Sequence, residues 1–157
     1  MFVKWQRRRS TSTWERAKGQ DTGWQEAAGD LLMASLVESR RVNGKPRHKL
    51  LTYLGSIREK HAQGGPDRAV NQEDFWRDVA RRLGRSGLLG NRITPDDRAK
   101  IEKALAKRVR QPTKAEVGRA LAKGKELVMS YKNINGQLIH PDPTDELIRE
   151  YARSPHT

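Results

Sequence analysis

The sequence contains no cysteine, and that absence removes several kinds of chemistry at once. A chain without thiols forms no disulfide, builds no thiolate zinc site and has no cysteine nucleophile. Nothing in the chain therefore requires an oxidising compartment. We expect a cytoplasmic location, or association with the nucleoid if the protein is bacterial.

Long apolar runs are also missing. No segment approaches the roughly 20 apolar residues that are needed to span a bilayer. The segment from Met1 to Ser10 carries charge but is followed by no apolar region, so it does not resemble a secretory signal. No lipidation motif is present either, and we expect no membrane partner.

Patterns typical of catalysis or cofactor binding are equally scarce. The 4 histidines are scattered without metal-ligand spacing, and no glycine-rich loop ends in Lys-Ser or Lys-Thr as a phosphate-binding loop would. The acidic residues near Asp74 and Asp96 lie at predicted helix starts, where capping and the helix dipole account for them. We expect a protein that is not an enzyme and needs no cofactor or metal.

What the chain has in excess is positive charge. Its 157 residues include 32 Lys and Arg against 19 Asp and Glu, which gives a formal charge of +13, and only 34% of the residues are hydrophobic. Such a chain repels itself when compact, so its natural partner is an extended anion that releases counterions on binding. Nucleic acid is therefore the predicted partner.

The clearest structural signal is Asn43-Gly44, because these residues suit the positive φ angles of a type I′ turn. The flanking segments predict a β-hairpin within residues 32 to 57. Pairing outward from the turn without interruption puts on one face Arg40, Lys45, Arg47, Lys49, Tyr53, Leu36 and Ala34. The other face carries Met33, Val37, Leu50 and Leu54. We assign this more apolar second face to the core and predict that the basic face is exposed.

Further elements are predicted on both sides of the hairpin. Phe2 to Gln6 indicates a third strand, because two strands alone are marginal in water. The stretch from Arg7 to Asp30 is rich in Gly, Ser, Thr and Arg, holds Trp14 and Trp24, and predicts a long loop or arm. Gly64-Gly65-Pro66 is a breaker that divides a basic arm with a β-hairpin module, residues 1–63, from a basic helical region, residues 64–157.

After the breaker, apolar residues recur every three or four positions, which predicts helices. Asn71 is expected to cap a helix with the apolar stripe Phe75, Trp76, Val79 and Leu83. Thr94 before Pro95 predicts a helix whose inward residues are Ile101, Leu105 and Val109.

Two further helices complete the expected fold. Thr113 and Glu116 predict a capping box for a helix over residues 114–131, with the inward residues Val117, Leu121, Val128 and Tyr131. Asn135-Gly136 predicts a short hairpin, and the last helix is expected to begin near Pro143 or Thr144. The predicted fold class is therefore α+β, a small antiparallel hairpin or three-stranded sheet followed by three to four helices.

Two basic groups are predicted to bind phosphates. On the hairpin, Arg40 opposite Arg47 is a like-charge pair that costs stability unless an anion lies between them. Tyr53 on the same face is predicted to stack on a base or to cover the sheet. The alternative is a solvated tip in which Glu38 pairs with Lys49. The second group is an arm of the kind that enters a minor groove, and it comprises Lys4, Trp5, Arg7, Arg8 and Arg9.

The turn around residues 110–113 suggests one more binding element. It has about the length of the turn in helix-turn-helix units, and such a unit would place Lys114 and Arg119 early on a recognition helix. The alternative is an ordinary pair of helices joined by a short turn, which is far commoner.

Residues 35 to 55 read Ser35-Leu-Val-Glu-Ser-Arg-Arg-Val-Asn-Gly-Lys-Pro-Arg-His-Lys-Leu-Leu-Thr-Tyr-Leu-Gly55. This segment resembles the N-terminal hairpin of many insertion-sequence DDE transposases, which continue from a short strand through a similar "ES-R-NGK-R" to "LG" pattern. The resemblance implies a DNA-associated hairpin carried by a mobile element, phage or plasmid. It implies no catalytic residue in this chain.

The predicted function is non-enzymatic DNA binding through the basic hairpin face and the arginine arm. One alternative is an RNA-binding or ribonucleoprotein-accessory protein, because a basic sheet with nearby aromatic residues also serves single strands and RNA. Another is a small inhibitor or scaffold of a nucleic-acid-processing machine, with a protein partner in a nucleoprotein complex.

Overall fold

The computed structural model of the protein describes residues 1–9, 30–84 and 92–153. Its strands are β1 (Phe2–Arg9), β2 (Asp30–Val42) and β3 (Lys45–Arg58), which form one antiparallel sheet in that order. The helices of the described residues are α1 (Glu59–Ala62), α2 (Ala69–Gly84), α3 (Pro95–Ala106), α4 (Lys114–Ser130) and α5 (Asp145–Arg153), with a 3₁₀ turn at Pro66–Arg68. The predicted α+β class is confirmed.

Strand β1 is longer than predicted. Its last three residues, the arginines expected in a loop or arm, pair with residues 30 to 32 of β2. That prediction was wrong, because β2 begins as early as Asp30 and offers its backbone to the whole of β1. The predicted loop residues between the two strands, including Trp14 and Trp24, lie outside the described residues.

The pairing of β2 with β3 departs from the predicted register at two places. Every pair from the turn down to Val37 with Leu50 is as predicted. A β-bulge between Val37 and Leu36 then brings Leu36 opposite Thr52. A second bulge lies between Ser35 and Ala34, nearer the start of β2. Because each bulge adds one residue to β3, the simple alternation of its side chains fails in this part of the hairpin.

The predicted assignment of faces was therefore wrong at several positions. Leu50, predicted for the core, is 61% exposed, and Met33 is only partly buried. Leu36, predicted for the exposed face, is completely buried. Val37 and Leu54 are buried, as predicted.

Alternation along the strands gives the sheet two different faces. On β1 and β2, the helix-covered face carries Val3, Trp5, Arg7, Leu32, Ala34 and Leu36. The face that we call the open face carries Phe2, Lys4, Gln6, Arg8, Leu31, Met33, Ser35, Val37, Leu50, Tyr53, Ser56 and Arg58. The described helices that contribute to the core pack on the helix-covered face.

One hydrophobic cluster joins the helix-covered face to α2 and α3. Its buried members are Leu32, Ala34, Leu36, Leu54, Ile57, Ala62, Phe75, Val79, Leu83, Ile101, Leu105 and Val109. Phe75 connects the layers, since its ring stacks on Trp5 with 6.1 Å between centroids and meets Trp76 edge-on at 5.6 Å. The predicted division between residues 63 and 64 therefore runs through a single hydrophobic cluster.

A second, smaller cluster holds α4 and α5 against the start of α2. Its buried members are Ala69, Val70, Val117, Ala120 and Ala152. Ion pairs reinforce this contact, because Arg149 reaches Glu73 at 2.9 Å and Asp74 at 2.8 Å, and Arg153 reaches Asp74 at 2.7 Å. Glu73 and Asp74 thus bind a distant helix. The prediction that they lie at a helix start was wrong, because α2 begins at Ala69 and its first turn holds no acid.

Three helix starts agree with the sequence, since α5 begins at Asp145, directly after the predicted Thr144. Thr94 with Asp97 and Thr113 with Glu116 both form capping boxes. Hydrogen bonds from Thr94 lower the pKa of Asp97, and a hydrogen bond from Arg110 is the main cause of the lowered pKa of Glu116. Both carboxylates are therefore held in their charged form.

Two further predictions in the helical region were wrong. Helix α2 begins at Ala69, so Asn71 lies inside the helix and does not cap it. Tyr131, predicted for the core, is 41% exposed and meets Tyr151 edge-on. The Asn135-Gly136 turn closes only an isolated bridge between residues 132 and 138.

His61 on α1 gives the fold a specific pH dependence. Burial, reinforced by Arg68, lowers its pKa to about 4, so the folded state prefers the neutral imidazole. The unfolded chain binds a proton near pH 6.5, so stability is expected to fall as the pH drops from about 6.5 to about 4. In His61→Gln the free energy of unfolding should depend less steeply on pH over this range. Urea denaturation at a series of pH values would measure it. Equal slopes for wild type and variant would contradict this expectation.

Candidate nucleic-acid interface

Beyond Val37, strands β2 and β3 leave the sheet as a two-stranded ribbon, because β1 pairs with β2 only as far as that residue. We call residues Glu38 to Lys49 the ribbon arm. From Ser39 onward its residues are exposed on both sides. At about 3.3 Å per residue, the arm projects roughly 15 Å from the sheet.

The tip of the arm is the predicted tight turn. Asn43 and Gly44 have φ angles of 51° and 74°, and Val42 pairs directly with Lys45 across them. These positive φ angles match a type I′ turn, whose twist follows that of the strands. The arm therefore ends without a bulky loop and stays as narrow as two strands.

One side of the arm carries the four cations that the sequence placed together. They are Arg40, Lys45, Arg47 and Lys49. The cross-strand pair of Arg40 with Arg47 is confirmed. Glu38, which lies opposite Lys49, forms its ion pair with Arg40, from which it accepts a hydrogen bond at 2.9 Å. Four cations thus share this side with a single carboxylate, and Arg40 remains half exposed.

The other side of the arm holds residues that the sequence reasoning missed. Arg41 pairs with Pro46, and Ser39 pairs with His48, all of them exposed. Arg41 lies on the side of the hairpin that was assigned to the core, so it was not predicted as a binding residue. The exposure of Arg41 follows from the first residue of β1, Phe2, pairing with Val37, since no third strand of the described residues pairs with the arm beyond that point.

The open face of the sheet continues this second side of the arm. It carries two cations from β1, Lys4 and Arg8, and one from β3, Arg58. None of its described side chains is acidic, because the two carboxylates of β2, Asp30 and Glu38, belong to the opposite face. The predicted residues Lys4 and Arg8 therefore lie on a face of uniformly positive charge.

The two predicted aromatic site residues, Trp5 and Tyr53, do not lie beside the four arm cations. Trp5 lies on the helix-covered face against Phe75, with the guanidinium of Arg108 5.8 Å from its ring centroid. Tyr53 lies on the opposite side of the sheet from the four arm cations, and Arg82 lies 5.9 Å from its ring centroid. The bulge between Leu36 and Val37 puts Tyr53 on that opposite side. Trp5 is part of the core.

The arginine run is divided in the same way. Arg7 pairs with Glu59 at 2.5 Å and lies 3.9 Å from Asp30, so its charge is compensated. Arg8 faces the other way, on the open face. The side chain of Arg9 lies outside the described residues.

Lys114 and Arg119 lie on a different part of the molecule from the arm. Their helix, α4, packs mainly on α5, on α2 and on the 3₁₀ turn, whereas α3 packs on β1. Because α3 and α4 make little contact with each other, they do not form the packed pair that a helix-turn-helix requires.

A cleft of about 550 Å³ lies beside α4 and α5. Its rim combines the cations Arg119 and Lys123 with the carboxylates Asp67 and Glu126. Such mixed charge offers a phosphate chain no net attraction. The arm and the open face are the better candidates for an anionic polymer.

Two further properties bear on the chemistry of the site. Among the described residues, no cluster of His, Asp and Glu side chains is arranged to hold a metal ion. None of the described helices has the length and apolarity to cross a membrane.

Comparisons with protein families, with curated proteins and with solved structures found no match to this chain. The candidate site therefore rests on the geometry and charge of the chain's own residues.

Proposed function

We propose that this protein binds duplex DNA by placing the ribbon arm in the major groove. The observation that carries the proposal is a narrow two-stranded ribbon, exposed on both sides, with five cations and one carboxylate between Glu38 and Lys49. The cations on both sides would meet the phosphates that border a groove. The resemblance of residues 35–55 to transposase hairpins is the basis for proposing a role in a mobile element, phage or plasmid.

Groove dimensions favour DNA over double-stranded RNA. The major groove of B-form DNA is about 12 Å wide and admits a two-stranded β-ribbon. In A-form RNA the major groove is deep and narrow, and side chains cannot read it. The tight Asn43-Gly44 turn suits insertion because it adds no width at the tip.

The arginine pair supports an anionic partner at the same place. Arg40 and Arg47 lie directly opposite each other, and like charges in that position destabilise a hairpin. Glu38 compensates only Arg40. A phosphate or a guanine edge near both guanidinium groups would relieve the remaining repulsion, since arginine binds both through paired hydrogen bonds.

The test is binding of the purified protein to labelled duplex DNA across a salt series, for wild type and for Arg40→Ala/Arg47→Ala. Each lost phosphate contact should reduce the slope of log affinity against log salt by about 0.9. We expect the double variant to bind duplex DNA about 10- to 100-fold more weakly, at roughly 1 to 3 kcal/mol for the two contacts together.

The matched control is Lys123→Ala/Lys125→Ala on α4, which removes the same charge away from the sheet. The control should bind DNA almost as the wild type does. Equal losses in both double variants would mean that net charge alone drives binding, and the arm would be rejected as the site. Binding that hardly changes with salt would point instead to a protein partner.

A further inference from the structure

We propose that the open face of the sheet binds an unpaired DNA strand that continues from the duplex held by the ribbon arm. This inference rests on the proposed duplex binding, because the arm would deliver the strand to the sheet. The two surfaces are distinct. The open face extends over all three strands from Val37 toward the start of β2, and the arm extends from Val37 toward the Asn43-Gly44 turn.

The charge of the open face suits a phosphate chain. Lys4 and Arg8 are exposed on β1, and neither has an ion-pair partner among the described residues. No acidic side chain shares the face in the described part of the chain. A protein partner would need a matching acidic surface, whereas every segment of a DNA strand carries the required charge.

The apolar groups of this face suit bases. Phe2 is 39% exposed and meets His48 edge-on, with 5.3 Å between the ring centroids. Leu50, 61% exposed, is opposite Val37, and Val37 is opposite Phe2 across the strands. Aromatic rings beside cations bind single strands without regard to sequence, because every base has a face that can stack. Paired bases keep those faces covered, so the open face should select unpaired DNA.

Continuity with the arm favours one strand that occupies both surfaces. The side of the arm that carries Arg41 and His48 is an extension of the open face, since both follow the alternation of Val37 and Leu50. The contact between Phe2 and His48 joins the two surfaces physically. A strand that leaves the duplex at the arm therefore meets Phe2 first and then Lys4 and Arg8.

The experiment compares three labelled probes, a blunt DNA duplex, the same duplex with a single-stranded DNA tail, and the duplex with an RNA tail. The wild type should bind the DNA-tailed duplex at least about tenfold more tightly than the blunt duplex, as expected for one or two stacked bases with their phosphates. Phe2→Ala/Lys4→Ala/Arg8→Ala should reduce that ratio to near one. Lys123→Ala/Lys125→Ala should keep it, and unfolding curves would check that each variant is folded.

The outcomes separate this inference from the proposed function. A tail advantage that survives in the β1 triple variant would overturn the open-face site while leaving duplex binding by the arm intact. Absence of binding to all probes would reject the proposed function itself. A larger advantage for the RNA tail would reject DNA as the occupant. Photo-crosslinking from a halogenated uracil in the tail to Phe2 or His48 would independently support the site.

Discussion

Phe75→Ala is expected to lower the free energy of unfolding by about 3 to 5 kcal/mol, the usual cost of truncating a buried phenylalanine. Phe75 is 1% exposed and contacts both Trp5 and Trp76. Truncation would leave a cavity between β1 and α2, where a partly buried tryptophan cannot fill the space without losing its own contacts. Urea denaturation followed by tryptophan fluorescence would measure the loss.

Phe75→Leu is the matched control, because it keeps an apolar group of intermediate size at the same position. It should cost clearly less than the alanine variant. Equal costs would mean that the ring contacts contribute little. A loss below about 1 kcal/mol for alanine would contradict the assignment of Phe75 to the packed layer between sheet and helices.

Alanine substitution at two glycines of α4 should change the free energy of unfolding in opposite directions. A Cβ added at Gly124 would lie 2.6 Å from the backbone oxygen of Ile148 and 3.0 Å from Ala152. Gly124→Ala therefore forces α5 away and should cost about 1 to 3 kcal/mol. Gly118 has nothing within 4 Å, so Gly118→Ala should stabilise the helix by up to about 1 kcal/mol.

The difference between these variants, about 1 to 4 kcal/mol, should appear in urea denaturation measured under identical conditions. Because helix propensity acts equally at both positions, the difference isolates the contact between α4 and α5. A stabilising Gly124→Ala would contradict the close packing of the two helices.

The packed layer between the sheet and the helices also holds the base of the ribbon arm in place. The ribbon arm is a two-stranded extension, and isolated pairs of strands are marginal in water. Its base is held because β2 and β3 continue into the sheet that Phe75 and its neighbours cover. Destabilising that layer should therefore weaken DNA binding indirectly, which is why each binding variant needs its own unfolding curve.

The local features of this fold could be read from short stretches of sequence. Asn43-Gly44 predicted the turn and the pairs next to it, since positive φ angles depend on the residues themselves. The capping boxes at Thr94 and Thr113 were predicted for the same reason, because each involves residues only three apart. The cross-strand neighbours Arg40 and Arg47 followed directly from the turn.

The candidate site was only partly predictable. The four arm cations share one side as expected, but Tyr53 does not accompany them, because one bulge lies between it and the turn and reverses the face on which it lies. Trp5 was predicted to bind nucleic acid, and its place against Phe75 depends on a helix more than sixty residues away in the chain. Arg41 was missed because its exposure depends on where the pairing of β1 with β2 begins, at Phe2 opposite Val37.

The sequence by itself therefore determined the basic charge, the hairpin turn, the α+β class and most helix starts, because these depend on composition or on neighbouring residues. Only the tertiary structure decided which face of the sheet is covered and where β2 and β3 form bulges. It also decided which cations are compensated, as Arg7 is by Glu59 and Arg149 by Asp74. These outcomes depend on contacts between segments far apart in the chain, and no local pattern specifies them.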